Sequence, residues 1–76
     1  MTAADLTDIF LAALIRAHGS TKARWRKVLG RPRVYDRETH PHCNWSFSPS
    51  GSVVEVAAVE NLADRLRGEY PIVSDA

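Results

Sequence analysis

The sequence predicts a small α+β domain: helix, short helix, antiparallel β-hairpin, helix and extended C-terminal tail, with the helices packed on one face of a small sheet. Three observations carry this. Two stretches, one from Thr2 or Thr7 to about His18 and one from Val53 to about Arg67, repeat apolar residues at helical spacing behind capping signals. Between them, Cys43-Asn44-Trp45-Ser46-Phe47-Ser48 alternates apolar and polar side chains, the period of a half-buried strand. Pro49-Ser50-Gly51 then breaks that strand before the last helix begins.

The first helix is announced by Thr2 with Asp5 three residues on, a capping box with Asp in place of Glu. Asp5 and Asp8 fall where the helix dipole favours anions, and Gly19 supplies the stop. Leu6, Ile9, Phe10, Ala13, Leu14 and Ala17 form one apolar stripe. Leu11 and Ile15 lie outside it and widen the apolar arc past half the circumference. Two readings stay open: a central helix packed on two sides, or a helix with one face in the core and Leu11 and Ile15 in a subunit interface.

Ser20 reads as the N-cap of a short helix over Thr21 to Leu29, closed by Gly30, with Trp25, Val28 and Leu29 on one side. A strand is the rival reading of this segment. Arg33-Val34-Tyr35 reads as the first hairpin strand, with Pro32 suited to a strand start. On the second strand Cys43, Trp45 and Phe47 share the core face. Ser52 followed by Glu55 is a capping box, so the last helix starts at Val53. Val56, Val59, Leu62, Ala63 and Leu66 make its stripe, and Gly68 is its expected end. The tail, Tyr70-Pro71-Ile72-Val73, is apolar and β-branched, suited to a groove or a third strand. A hairpin alone is marginal in water, which favours some such partner.

Seventy-six residues make a single domain over 1–76. Hydrophobic content of 45% and charged content of 25% are those of a folded chain rather than a disordered one. The single cysteine precludes an intramolecular disulfide and fits a reducing interior. The N-terminus bears acids where a secretory signal needs bases, and the longest apolar run, Ile9 to Ile15, is seven residues. The expectation is a cytoplasmic protein with no membrane partner.

The net charge of +1 conceals a dipole along the chain. Residues 16–37 hold eight of the ten bases and one acid, a formal charge of +7, which leaves −6 for the rest. Lys22, Arg24, Arg26, Lys27, Arg31 and Arg33, with Trp25 and Tyr35 interleaved, are the candidates for tracking phosphates and stacking bases. A solvated basic face explains the same run without a ligand. No helix-turn-helix, RNA-binding or zinc-finger signature accompanies it.

His40-Pro41-His42-Cys43 is the other concentration of chemistry. Pro41 extends the backbone at His40, so His40 and His42 point the same way and would offer two imidazoles to one metal. Zinc needs three or four ligands, and Asp36, Glu38 and His18 stand at no diagnostic spacing. A Cys43 nucleophile would need a base beside it, and on a regular strand His42 faces away. The simpler reading is a turn, with Thr39 and Asn44 bonding its backbone and Cys43 and Trp45 packed inside. No cofactor is expected and no enzyme activity is assigned.

"THPHCNWSFSPSG", followed by a Val/Ala-rich helix and "YPIV", resembles small uncharacterised bacterial proteins, proteobacterial ones in particular. The resemblance covers residues 25–73. It implies a bacterial cytoplasmic domain and brings no activity or site residue with it. Three functions are thus in view. The first is a protein-interaction or regulatory domain, self-associating through Leu11 and Ile15, with Asp8 and Arg16 able to pair across a two-fold axis. The second is nucleic-acid or other anion binding through residues 16–37. The third is metal binding at His40 and His42.

Overall fold

Each helix starts where its capping residues require, and the computed structural model describes residues 1–74. Helix α1 spans Ala3–His18. Thr2 Oγ1 accepts the Asp5 N–H at 3.1 Å, and Asp5 Oδ2 accepts the Thr2 N–H at 3.0 Å. That backbone N–H bond holds the Asp5 carboxyl below its ordinary value.

Helix α2 spans Lys22–Leu29, so the helical reading of this segment holds over the strand. Its N-cap is Thr21 rather than Ser20. Thr21 is extended and accepts the Arg24 N–H at 3.1 Å. Ser20 instead follows Gly19 into the left-handed region, φ 68° after φ 74°, and these two residues reverse the chain between α1 and α2.

Strands β1, Arg33–Val34, and β2, Trp45–Ser46, pair antiparallel with Arg33 opposite Ser46 and Val34 opposite Trp45. Both are shorter than the alternation suggests, for identifiable reasons. Pro32 has no N–H to extend the ladder at one end. At the other, Tyr35 still donates to the Asn44 carbonyl at 2.7 Å, but the Asn44 N–H turns away to the Pro71 carbonyl at 3.0 Å.

Helix α3 spans Val53–Glu69, behind a Ser52–Glu55 capping box. Gly68, the expected stop, lies inside it. The end is fixed by Tyr70, whose N–H donates to the Leu66 carbonyl and whose own carbonyl accepts the Trp45 indole N–H, each at 2.7 Å. A tertiary bond therefore sets this boundary, which a local glycine rule has no means to see.

The tail is the third partner that the hairpin needs. Asn44 is 2% exposed, and its side-chain amide behaves as a section of strand. Its Oδ1 accepts the Val73 N–H at 2.8 Å, while its Nδ2 donates to the Val73 carbonyl at 2.8 Å and to the Tyr35 carbonyl at 3.2 Å. Because the Val73 N–H only donates and its carbonyl only accepts, one amide orientation alone satisfies both. One residue further, the Ser74 N–H donates to the Met1 carbonyl and the Ser74 carbonyl accepts the Ala3 N–H, both at 2.9 Å, a parallel bridge to the N-terminus.

The core gathers where these elements meet. Phe10 of α1 is fully buried and meets Trp45 edge-on at 5.6 Å and Phe47 at 4.6 Å. Val59, Ala63 and Leu66 of α3 and Val28 and Leu29 of α2 close around them. Cys43 and Phe47 are half-buried on the core face with Trp45, as the alternation required. The buried side of α1 is rotated from the expected stripe toward Leu11: Leu6, Phe10, Leu11 and Leu14 are inside, while Ala17 is exposed. Among the described residues no helix is long and apolar enough to cross a membrane.

Candidate functional site

Helix α2 divides its side chains three ways, and that division decides what the basic segment can do. Trp25, Val28 and Leu29 turn inward. Trp25 is 3% exposed, and its indole N–H donates to the Gly19 carbonyl at 2.7 Å. It anchors α2 to the end of α1 and has no free face for a base, so its expected stacking role is corrected to a structural one.

Arg24 leaves on the flank toward α3. Its Nε donates to Glu55 Oε2 at 2.8 Å and its Nη2 to Glu55 Oε1 at 2.6 Å, a two-pronged ion pair. These bonds, with the Ser52 N–H bond to the same carboxylate, push Glu55 down to about 2 and the Arg24 guanidinium up. Gly51 lies against this pair with φ 136°, and a Cβ there would come within 2.8 Å of Glu55 Oε1. The positive φ and the close approach both require glycine. Arg24 is thus committed inside the chain, and its expected place on an anion-binding face is withdrawn.

Lys22 and Arg26 emerge on the flank beside α1, Lys27 emerges on the outer side between them and Arg24, and Arg31 and Arg33 follow on the loop and β1; all five are exposed. Among the described residues the ion pairs are Arg24–Glu55 and Arg67–Asp64, so these five cations have no carboxylate within 4.0 Å. Arg26 and Arg31 border one surface depression with Thr7 and Asp8, and Lys22 borders the next with Asp8, Leu11 and Ile15. The result is a ridge of positive charge along α2 and its exit loop, with Asp8 the acid beside it.

The same depressions show what covers the second flank of α1. Leu11, expected in a subunit interface, is 1% exposed within the single chain, and Ile15 is half-buried against the core. The cover is α2. Tail residue Val73 is buried instead beside Asn44. The central-helix reading is the one that fits. The exposed aliphatic pair is Val53 and Val54, 86% and 73% exposed on the first turn of α3. Two valines fall far short of the roughly 800 Å² per partner of a standard interface.

The histidines are placed by the turn. Asp36 Oδ1 accepts the Glu38 N–H at 2.9 Å, and the Asp36 carbonyl accepts the Thr39 and His40 N–H groups at 3.1 and 2.9 Å. This folds His40 back over Tyr35, ring on ring at 4.3 Å and 19°. His40 Nδ1 lies 3.0 Å from Thr39 Oγ1. Among the described residues no three His, Cys, Asp or Glu side chains come together as a metal site would need, so His40 and His42 remain at most two ligands. Cys43 sits half-buried with its thiol directed at the Trp45 carbonyl.

Two features went unread in the sequence. Asn44 reads as a polar position of the second strand that bonds the turn backbone, whereas it is buried and joins hairpin to tail; a single buried amide leaves no periodic signature. The Tyr35–His40 stack joins residues five apart across a turn, where neither strand nor helix spacing applies. No family model, curated protein or solved structure matches this chain.

Proposed function

We propose that this domain binds nucleic acid through the phosphate backbone, using the α2 ridge of Lys22, Arg26, Lys27 and Arg31 with Arg33 beside it. The observation that supports the reading is the sorting of charge on one short helix. The arginine that faces α3 is neutralised by Glu55, while among the described residues Lys22, Arg26, Lys27, Arg31 and Arg33 are exposed and in no ion pair, with Asp8 the acid beside them. Like charges held on one ridge repel one another, and a polyanion that releases its counterions relieves that repulsion. The self-association reading loses its surface with the burial of Leu11. The single cysteine and the resemblance over residues 25–73 support a bacterial cytoplasmic setting for this role.

The test is a salt titration with a fluorescent oligonucleotide, as duplex and as single strand. About four phosphate contacts give a log–log slope of about −3 to −4. Arg26→Gln and Lys27→Gln should each reduce that slope by about one, whereas Arg24→Gln should leave it unchanged. Absence of binding at low salt, or a slope that falls as much for Arg24→Gln as for Arg26→Gln, would overturn the reading.

A further inference from the structure

We infer that the stacked Tyr35–His40 pair on the outer face of the hairpin is a base-stacking platform that makes single-stranded nucleic acid the preferred ligand, an inference that rests on the ridge reading above. Tyr35 and Arg33 alternate with the core-facing Val34, so both stand on the outer face of β1. Tyr35 is 36% exposed and His40 is exposed, so the pair presents aromatic surface to solvent. Both rings are held. The Tyr35 hydroxyl lies 3.1 Å from Ser46 Oγ on the neighbouring strand, and its backbone N–H is bonded to Asn44. His40 is fixed by the Thr39 hydroxyl, which itself donates to the Asp36 carbonyl at 3.0 Å.

The bracing holds both rings in one place on the hairpin surface. A ring that stacks on a base gains from it, because the rotamer freedom is already lost before the ligand arrives. Of the two aromatic residues that sequence spacing puts among the cations, Trp25 is internal. Tyr35 with His40 is the exposed aromatic surface that follows the ridge in the chain.

The local charge sharpens the inference. Arg33 belongs to the ridge, and in the platform's own turn, residues 34–40, the one base Arg37 is outnumbered by Asp36 and Glu38. The platform therefore adds stacking without adding a salt-dependent contact. A duplex hides its base faces within the helical stack, while a single strand offers them. The ridge supplies affinity for either form; the platform distinguishes them.

The experiment compares binding of a single-stranded oligonucleotide and its duplex to wild type, Tyr35→Leu, Tyr35→Phe and His40→Ala. Tyr35→Leu should weaken single-strand binding by about tenfold, with duplex affinity and both salt slopes unchanged. Tyr35→Phe should retain most of the single-strand affinity, since the ring remains. His40→Ala, a change on an exposed turn, should give an intermediate loss and serves as the check if Tyr35→Leu is poorly folded. Equal single-strand affinity in all four proteins, with the ridge slopes intact, would overturn the platform and leave the ridge standing. Failure of both oligonucleotides to bind wild type at low salt would overturn the ridge and the platform with it.

Discussion

Replacing Asn44 with alanine should remove about 3 kcal/mol of stability, although the side chain is polar and comes from a loop-flanking position. The magnitude follows from the bonds lost. The Val73 N–H and carbonyl both end on the Asn44 amide at 2.8 Å, and the Tyr35 carbonyl ends there at 3.2 Å. Leaving a buried backbone group without its partner costs about 1–3 kcal/mol. Two such groups at the lower half of that range, with water recovering part of the third, give about 3 kcal/mol. A chain of 76 residues has roughly 4–11 kcal/mol in total, so this one amide carries a large share. Urea unfolding followed by tryptophan fluorescence reads it, since Trp25 and Trp45 are both buried. With an m-value of about 1 kcal/mol/M, the midpoint should fall by about 3 M. Hydrogen exchange at Ala3 and Ser74 should quicken more than exchange in mid-α1, because their bonds depend on the tail staying in place. A midpoint within about 0.5 M of wild type would refute the reasoning and show that the tail is held by its apolar side chains alone.

Two further outcomes follow from the same contacts. Glu55 is depressed from 4.5 to about 2, so the Arg24–Glu55 contribution is complete above 4.5 and is lost as pH falls toward about 2. Glu55→Gln should therefore flatten the acid side of the stability–pH curve in that window, and thermal melts with the same acid slope in both proteins would contradict it. Leu11→Glu should unfold the chain or cost at least about 3 kcal/mol, since it places a carboxylate where 1% of the residue is exposed. Circular dichroism showing a folded variant that melts near wild type would return Leu11 to the surface and reopen the interface.

The parts of the fold that were legible in the sequence are those governed by local rules. The capping boxes at Thr2–Asp5 and Ser52–Glu55 start α1 and α3 where they should, because each is a short-range pairing of side chain with backbone. The alternation over residues 43–48 put Trp45 inside, because strand geometry fixes the face. What escaped was decided by contacts distant in sequence. Gly68 does not end α3, since the Trp45 indole captures the Tyr70 carbonyl and carries the helix past it. The β-strands stop early because Asn44 turns its N–H to Pro71. The two readings of Leu11 stay open in the sequence because periodicity describes an apolar arc without saying how many neighbours it has; α2, which packs on α1, is the neighbour that decides between them.

The candidate site follows the same logic, and it shows why a count of charges is a poor guide to a binding face. Helical geometry separates Lys22, Arg24, Trp25, Arg26 and Lys27 by 100° per residue, so a helix packed on two neighbours cannot keep all five on one surface. Once α2 buries Trp25 and Val28, Arg24 must emerge beside α3, and Glu55 is the residue that meets it there. Lys22 and Arg26, four apart, must emerge together on the opposite flank beside α1, where Asp8, Leu11 and Ile15 lie. The aromatic partner then has to come from outside the helix. Residue Tyr35 meets that need only because the Asp36–Thr39 turn folds His40 onto it and Ser46 fixes its hydroxyl. The basic run thus contributes the ridge, and the hairpin contributes the aromatic surface. Substitutions that move charge on α2 should change the salt dependence of binding, while those on the hairpin should change the discrimination between strand forms.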